Sequence, residues 1–475
     1  MVSHDFQGRT CLAIVLAAGD GTRMCSSQPK VLHKIACRSM LGHVLVALAK
    51  AEIDGISVVI SPGHDAVAAE AKAAAPGCEI AIQAQRLGTA HAALAAQSAI
   101  AKGYDDILIV FADTPLVRPQ TFTAMRKTLA AGGNAVAALG FEAREPEGYG
   151  RLILNDGELL AIREDRDASA EEREIKMCSA GLMALDGRHA LSLLSAIGNA
   201  NSQGEFYLTD AVAVARAHGL KAAALIASED EVMGVNKREQ LASAESLMQA
   251  RLRRDAMRHG ATLIDPASVT LAFDTSLARD VIVEPHVVFG PGVTVEEGAH
   301  IRSFTYLEGA AIGRNAIVGP FARFRPGAAI AEDARIGNFV EVKASQVGPG
   351  AKINHLSYIG DARIGAKSNV GAGTVICNYD GFGKYRTEIG ESAFIGSNSA
   401  LVAPVKVGAG AYIASGSVIT EDVAADALAV ARSRPVEKPG WAKAFRERKL
   451  KERGASKDRL GEREGQMPPS GKDNI

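Results

Sequence analysis

The hydrophobic positions of the chain change period twice. From residue 11 to about residue 235, short aliphatic runs such as CLAIVLA and DILIVF alternate with Ala-rich, helix-like segments. This alternation is typical of a mostly parallel sheet that is covered on both faces and binds ligands at the carboxyl ends of its strands. Residues 236–259 then predict a connecting helix, because apolar side chains recur there at helical spacing. These side chains are Leu241, Ala244, Met248 and Leu252.

Beyond residue 262, an aliphatic residue or Phe recurs at every sixth position, often directly before glycine. The two series are Ile312, Val318, Phe324, Ile330, Ile336 and Val342, and then Ile389, Ile395, Leu401, Val407, Ile413 and Ile419. Strand alternation has a period of two and does not select every sixth position, whereas a hexapeptide-repeat β-helix does. The polar, Gly-rich segment CNYDGFGKYRTE at 377–388 interrupts the repeat, and we expect it to form a loop on a functional face.

The predicted fold is an α/β Rossmann-like domain followed by a left-handed parallel β-helix. We assign residues 1–235 to the first domain, 236–262 to the linker helix and 263–436 to the β-helix. The remaining residues, 437–475, lose all periodicity and are rich in Lys and Arg, so they are expected to form a charged, flexible tail. A length of 475 residues fits such a division, because a single hydrophobic core rarely serves so long a chain.

Composition narrows the functional classes. With 53 basic and 54 acidic residues the chain has no global field for polyanions, and an aromatic content of 5% is low for a surface that stacks on bases. The six cysteines form no CxxC pair, and the N-terminus lacks a basic stretch followed by an apolar run. We therefore expect a cytoplasmic enzyme with reduced thiols and with neither a nucleic-acid nor a membrane partner.

A Gly-rich motif follows the first predicted strand. The string LAAGDGTRM at 16–24 is followed by PKVL at 29–32. Gly19 and Gly21 let the backbone approach a phosphate chain closely, while Arg23 can neutralise its charge. A lone GxG after a strand is more often a plain turn, and this string is neither a Walker loop nor GxGxxG. The signal for phosphate binding therefore lies in the complete string.

This string resembles the signature LxxGxGTRM, followed by PK, of the sugar-1-phosphate nucleotidyltransferases. With its downstream segments the chain is similar to the bifunctional N-acetylglucosamine-1-phosphate uridyltransferase/glucosamine-1-phosphate acetyltransferases over roughly residues 10–440. The resemblance implies that Arg23 and Lys30 are catalytic residues that bind the triphosphate. It also implies a UTP pocket formed by Leu16, Ala17, Ala18, Gly19, Lys30, Gln83, Gly88 and Thr89.

Uridylyl transfer brings two anions together, so it needs a divalent cation and basic side chains. Asp113 ends the predicted strand DILIVF, although an Asp before Thr-Pro is by itself more often a turn former. The resemblance implies Asp113 and Asn236 as ligands of Mg²⁺. On the sugar-phosphate side it implies Gly150, Glu164, Ser179 and Asn236, with Ser179 standing where the family generally has Asn. The nearby run QGEFYLTD at 203–210 also fits the family.

An N-acetyltransferase needs a base that accepts a proton from the attacking amine. His355 lies off the aliphatic corners, and imidazole is the side-chain group best suited to accept a proton near neutral pH, although a lone His in a repeat is more often a surface residue. The resemblance implies His355 as the general base. It places Arg325, Lys343, Tyr358, Asn369 and Lys384 on the glucosamine phosphate. Along acetyl-CoA it places Asn378, Tyr379, Ser397, Ser415 and Arg432.

The predicted function is synthesis of UDP-N-acetylglucosamine in two steps. Acetyl-CoA acetylates glucosamine-1-phosphate at the C-terminal site, and UTP then uridylylates N-acetylglucosamine-1-phosphate at the N-terminal site with release of pyrophosphate. The resemblance further implies Mg²⁺ for the second step and a homotrimer with acetyltransfer sites between neighbouring β-helices. One alternative is a monofunctional nucleotidyltransferase with a scaffold β-helix, and another is a non-catalytic sugar-nucleotide sensor.

Overall fold

The computed structural model describes residues 8–155 and 157–464. Its N-terminal region is built on a nine-stranded sheet, in which Met177–Asp186 is antiparallel to both neighbours on the main path and the other pairs of that path are parallel. In spatial order the main path is Lys221–Ala227, Asn134–Glu142, Met177–Asp186, Asp106–Phe111, Cys11–Leu16, Gly55–Ile60 and Glu79–Ile82. A hairpin of Arg151–Asn155 and Glu158–Arg163 branches from Met177–Asp186.

The central strand Cys11–Leu16 is buried along its whole length. Its alternate side chains enter two separate apolar clusters, one on each face of the sheet, because successive strand residues point to opposite faces. The predicted α/β domain is therefore confirmed. The helices of this region are Met40–Lys50, Asp65–Ala74, Thr89–Leu94, Gln97–Ile100, Pro119–Ala130, Ala170–Arg173, Gly187–Ala196, Ala211–Ala217 and Glu229–Val232.

Three parallel sheets of short strands form the β-helix that the repeat predicted. One sheet contains Thr262–Leu263, Ile282–Val283, His300–Ile301, Ile317–Val318, Arg335–Asn338, Lys352–His355, Asn369–Val370, Phe394–Ile395, Tyr412–Ile413 and Leu428–Ala429. The second contains Ser276–Leu277, Thr294–Val295, Ala310–Ile312, Ala328–Ile330, Gln346–Val347, Ala362–Ile364, Thr387–Ile389 and Val405–Val407. The third contains Val288–Phe289, Tyr306–Leu307, Arg323–Phe324, Glu341–Lys343, Tyr358–Gly360, Val375–Cys377, Ala400–Val402 and Val418–Ile419.

All twelve apolar residues of the two predicted series are buried in the core of the β-helix. The structure shows that the coils also continue between the two series. Here the spacing is irregular, because Val347 follows Val342 after five residues and Ile364 follows Ile359 after five. A single series of six-residue steps therefore breaks at Val347 and again at Ile364, although Val347, Ile353 and Ile359 keep the step of six between them. The burial of these residues assigns them to the core of the β-helix.

The helix Arg238–Arg258 packs between the α/β domain and the β-helix. Its Gln249 side chain is buried and exchanges two hydrogen bonds with the backbone of Leu271, at 2.7 and 2.9 Å. On the other side of this junction, the amide of Phe273 donates to the carbonyl of Ala36, and the Arg38 guanidinium lies 3.6 Å from the Phe273 ring centroid. These contacts fix the linker helix against both regions.

The tail differs from the sequence expectation, because Trp441–Glu464 forms a helix. Lys, Arg, Glu and Ala dominate this segment, and all four are strong helix formers even without hydrophobic periodicity. Residues 465–475, the rest of the expected flexible tail, lie outside the described part of the chain, as do residues 1–7 of the N-terminus. Among the described residues, every helix is too short or too polar to span a membrane.

Candidate functional sites

A pocket of about 290 Å³ lies beyond the carboxyl end of strand Cys11–Leu16. It is lined by all eight residues of the predicted UTP pocket and by Asp113, whereas Arg23, which was also predicted to bind the triphosphate, does not line it. Sequence reasoning did not identify Arg86 and Glu205, which also line it. Arg86 forms an ion pair with Asp20 of the Gly-rich motif, so it links the segment at 83–89 to that motif. The topology explains this position, because ligands of α/β sheets bind at the carboxyl ends of the strands.

Two glycines permit the shape of this pocket. Gly21 has a φ of 61°, and a Cβ there would collide with the side chain of Lys30. Gly88 has a φ of 113° and lies directly against the backbone of Phe206. Gln83, which is buried, donates to the Gly88 carbonyl at 3.3 Å. The two loops that carry these glycines therefore pack against Lys30 and Phe206 more closely than a residue with a side chain would allow.

Lys30 and Asp113, which line the pocket, meet a second oxygen ligand, Asn236, which lies outside the pocket lining. Lys30 is 8% exposed, forms an ion pair with the Asp113 carboxylate and donates to Asn236 Oδ1 at 2.8 Å. Arg23 also donates to Asn236 Oδ1, at 3.1 Å. The structure thus brings together residues 23, 30, 113 and 236, which lie far apart in the sequence. A carboxylate and an amide oxygen are ligands that suit Mg²⁺, which binds few protein groups, so the residues present fit this ion.

Three of the four predicted sugar residues, Gly150, Glu164 and Ser179, form a second cluster beside the hairpin, whereas the fourth, Asn236, lies against Lys30. The Ser179 amide donates to the Gly150 carbonyl at 2.7 Å, and Thr209 donates to a Glu164 carboxylate oxygen at 2.8 Å. Burial raises the pKa of Glu164, although the Thr209 hydrogen bond opposes the shift. Thr209 belongs to the QGEFYLTD run, so that run carried a signal for a residue that sequence reasoning did not name.

Ser179 sits at a β-bulge in Met177–Asp186. Its hydroxyl accepts a hydrogen bond from the Gly181 amide at 3.1 Å, and the residue is 7% exposed. The hydroxyl hydrogen is still available to donate, because a serine oxygen can accept and donate at once. Bulges commonly redirect side chains next to active sites, which accounts for the position of Ser179 beside Gly150.

In the β-helix, His355 is exposed and its Nδ1 lies 2.7 Å from Asn338 Oδ1. The two residues are paired in register on adjacent coils. Because an amide oxygen only accepts, Nδ1 carries the hydrogen and Nε2 keeps a free lone pair. His355 is therefore held in the tautomer that can accept a proton. Asn338 was missed by sequence reasoning.

The predicted phosphate-binding cations occur as ion pairs on the third sheet. Arg325 lies 3.1 Å from Glu341, and Lys343 lies 3.2 Å from Asp361. Burial lowers the pKa of Lys343, but the Asp361 carboxylate outweighs this effect and the pKa is raised. Asn378 also donates to Asp361. Both acidic partners were missed, because their strands become neighbours only when the coils stack.

The remaining predicted residues lie further along the coils. Tyr358 and Asn369 sit on strands of the third and first sheets, and Tyr379 and Lys384 are bridged to each other within the inserted loop. Ser397 and Ser415 are exposed on consecutive coils, where the Gly416 amide donates to the Ser397 carbonyl, and Arg432 is exposed beyond them. Across residues 8–155 and 157–464 of one chain, none of these residues is hydrogen-bonded to the His355 side chain.

The pocket and the β-helix define a two-part enzyme class: a nucleotidyltransferase domain joined to a hexapeptide-repeat acyltransferase. Family models agree, since residues 13–178 match the MobA-like NTP transferase domain and 386–421 match the bacterial transferase hexapeptide of six repeats. The bifunctional protein GlmU of Xanthobacter autotrophicus is 60% identical over 94% of this chain and 99% of its own length. That of a Bradyrhizobium species is 58% identical over 94% and 99%. The chain belongs to the GlmU family.

The predicted function is thereby confirmed: the chain is a bifunctional uridyltransferase and acetyltransferase of UDP-N-acetylglucosamine synthesis. A solved structure of a UDP-glucose pyrophosphorylase complexed with UDP-glucose is 16% identical, with a TM-score of 0.43, over 51% of this chain and 99% of that one.

Proposed function

We propose that the two sites work in sequence and are formed by the residues that the structure brings together at each end. The observation that carries the proposal is the network in which Lys30 and Asp113, which line the nucleotide pocket, are joined to Asn236. The uridylyl reaction would take place in residues 1–235 and the acetyl reaction in residues 263–436. Residues 236–262 would link these two domains, and residues 437–475 would belong to neither. Free cysteines throughout and the absence of a membrane-spanning helix among the described residues support a cytoplasmic setting.

At the N-terminal site, a phosphate oxygen of N-acetylglucosamine-1-phosphate attacks the α-phosphorus of UTP, and pyrophosphate leaves. Lys30 and Arg23 screen the charge of the two anions as they approach. Asp113 and Asn236 would hold Mg²⁺, which when bound supplies further charge screening. Glu164, oriented by Thr209, would bind the sugar together with the Gly150 backbone, the Ser179 hydroxyl and Asn236.

At the C-terminal site, the amine of glucosamine-1-phosphate attacks the thioester carbonyl of acetyl-CoA. His355 Nε2 accepts the amine proton, and the CoA thiol is released. The Asn338 contact supports this role because it keeps the proton on Nδ1 and leaves Nε2 free. Arg325 and Lys343 would exchange part of their pairing with Glu341 and Asp361 for the phosphate of the sugar, with Tyr358, Asn369 and Lys384 nearby.

A homotrimer would complete the acetyltransfer site. A ladder of exposed rings, His286, Phe304, Phe321 and Phe339, stacks along one corner of the β-helix with centroids 4.9 to 5.3 Å apart. The ladder ends at Leu356, directly beside His355, and Leu356 is 61% exposed. Contiguous exposed apolar surface on a solenoid favours packing against another copy. The fully exposed tip of the inserted loop, Phe382, also lacks cover from its own chain.

The trimer proposal is tested with the double substitution Phe321→Glu and Phe339→Glu, with Ile264→Glu as an exposed apolar control. We expect the double variant to sediment as a monomer, to keep pyrophosphate release and to lose thiol release. The control should remain a trimer with both activities. A monomeric double variant that still releases CoA thiol would exclude a site shared between chains.

The metal assignment is tested by titrating Mg²⁺ into the uridylyl assay with wild type and Asp113→Asn. Loss of one carboxylate ligand should raise the Mg²⁺ concentration needed for half-maximal pyrophosphate release by about tenfold or more. Thiol release should not change with Mg²⁺ in either protein. An unchanged Mg²⁺ requirement in Asp113→Asn would remove this residue from the metal site.

A further inference from the structure

A second cleft, of about 430 Å³, lies where the α/β domain, the linker helix and the start of the β-helix meet. Helix Met40–Lys50, the segment 115–120 and helix Arg238–Arg258 form its walls, and Phe273 closes one end. It shares no residue with either of the sites described above. Its volume falls in the range of small-molecule pockets, and its concave shape does not suit an extended macromolecule.

The cleft is strongly basic in a chain whose net charge is close to zero. One carboxylate, Asp255, faces six cations in its lining, and His43 adds no positive charge at neutral pH because burial lowers its pKa to about 4. The six cations are Arg38, Lys50, Arg118, Arg251, Arg254 and Arg258. Such a concentration of one sign of charge in a concave site attracts an anion.

Most of this positive charge is poorly compensated by the protein. Within the described part of the chain, neither Lys50 nor Arg254 forms an ion pair, and Arg118 reaches Glu231 only at 3.7 Å. Arg251 is half-buried and donates to the Leu116 carbonyl at 3.0 Å. Burial lowers the pKa of Arg251, the nearby Arg118 lowers it further, and the opposing effects of Glu231 and Asp255 do not offset them. An anion in the cleft would relieve the cost of holding these like charges together.

The floor of the cleft is apolar. Val117 and Met248 are buried, and Val46 and Leu252 lie partly exposed beside them. Arginine forks bind phosphate through paired hydrogen bonds, while an apolar floor suits an aromatic or aliphatic group. We propose that this cleft binds a small organic phosphate at a site separate from both active sites.

The probe is ADP, which is a substrate of neither half-reaction. Because CoA also contains an adenosine diphosphate group, binding is measured in the presence of saturating CoA. Binding of ADP to the full-length wild-type chain is measured by calorimetry, and the bound region is located by hydrogen exchange. We expect a dissociation constant below about 1 mM. We also expect ADP to slow amide hydrogen exchange in Met40–Lys50 and Arg238–Arg258. Exchange in the uridylyl pocket at residues 83–89 should not change.

The variant that tests the location is Lys50→Gln with Arg254→Gln. Its matched control is Arg279→Gln with Arg314→Gln, two exposed arginines that pair with Glu297 on the β-helix. Losing two charged partners should weaken ADP binding about tenfold or more in the first variant and leave it unchanged in the second. Binding that is equal in both variants, protection confined to residues 83–89, or no binding at several millimolar would each overturn the proposal.

Discussion

Replacing Gly88 with Ala tests how the nucleotide pocket is built. Gly88 has φ 113° and ψ 177°, a backbone region that is essentially restricted to glycine. A Cβ at this position would lie 2.5 Å from the carbonyl oxygen and 2.7 Å from the amide nitrogen of Phe206. Phe206 cannot yield easily, because its amide donates to the Leu87 carbonyl at 2.8 Å and its carbonyl accepts from the Ala90 amide at 2.9 Å.

The expected cost follows from these two effects. An outlying backbone conformation costs about 1 to 3 kcal/mol. Overpacking against a fixed neighbour costs about 1 to 3 kcal/mol more. If the segment that carries Gln83 and Thr89 shifts to relieve the collision, part of this cost appears as lost nucleotide binding. Since about 1.4 kcal/mol is a factor of ten, we expect the KM for UTP to rise about 10- to 100-fold.

The assay follows pyrophosphate and CoA thiol release separately, together with the thermal midpoint. Thiol release should be unchanged in Gly88→Ala, because the β-helix lies far from this loop in the chain. Gly63→Ala is the control: its φ is 77°, and a Cβ there would meet no atom within 4 Å. The control isolates the backbone strain from the collision. If both variants raise the KM for UTP equally, the reasoning from the Phe206 contact is wrong.

Three further outcomes are expected. Burial lowers the pKa of His43 to about 4, so the free energy of unfolding should fall by about 3 kcal/mol as pH falls from 6.5 to 4. Urea unfolding measures this change, and the free energy of unfolding of His43→Gln should fall by less over the same pH range. Burial raises the pKa of Glu164, so stability falls as pH rises through that pKa, and Glu164→Gln should melt higher at pH 8 while its KM for N-acetylglucosamine-1-phosphate rises. Asn338→Ala should reduce the rate of thiol release about 10-fold, because it removes the hydrogen-bond partner of His355 Nδ1. Asn338→Asp should restore this rate and shift the pH–rate profile to higher pH.

Each of these has a contradicting result. An unfolding curve of His43→Gln that depends on pH as the wild type does would exclude His43 as the titrating group. A Glu164→Gln variant with a lower melting temperature at pH 8 would show that its ionised form stabilises the fold. If Asn338→Ala keeps full activity with an unchanged pH–rate profile, the side chain does not position His355.

The regular parts of the fold were predictable because their signals are local. Each coil has an aliphatic residue at the same corner, so Ile395 and Ile413, which occupy this corner on adjacent coils, identify their coils from sequence alone. Steps of five, as from Val342 to Val347, carry no such signal, because the shorter turn is visible only once the chain is wound. The helix Trp441–Glu464 was missed for a related reason: its propensity is high, but it has no apolar stripe.

The sites show the same division. The Gly-rich loop and Lys30 are visible in one short string, and the resemblance supplied Asp113 and Asn236. The partners that orient these groups were not predicted, because stacking of coils or loops brings them close. Asn338 precedes His355 by one coil, and Thr209 reaches Glu164 from a different segment. Pairings of this kind depend on register, which the sequence does not display.

Two independent sites share one chain. The most direct test of their independence follows both products at once. Purified protein receives glucosamine-1-phosphate, acetyl-CoA, UTP and Mg²⁺, while CoA thiol and pyrophosphate are recorded separately. With N-acetylglucosamine-1-phosphate also supplied, His355→Ala should abolish only thiol release and Asp113→Ala only pyrophosphate release. Pyrophosphate release without thiol release in the wild type, or loss of both products in either variant, would contradict the account.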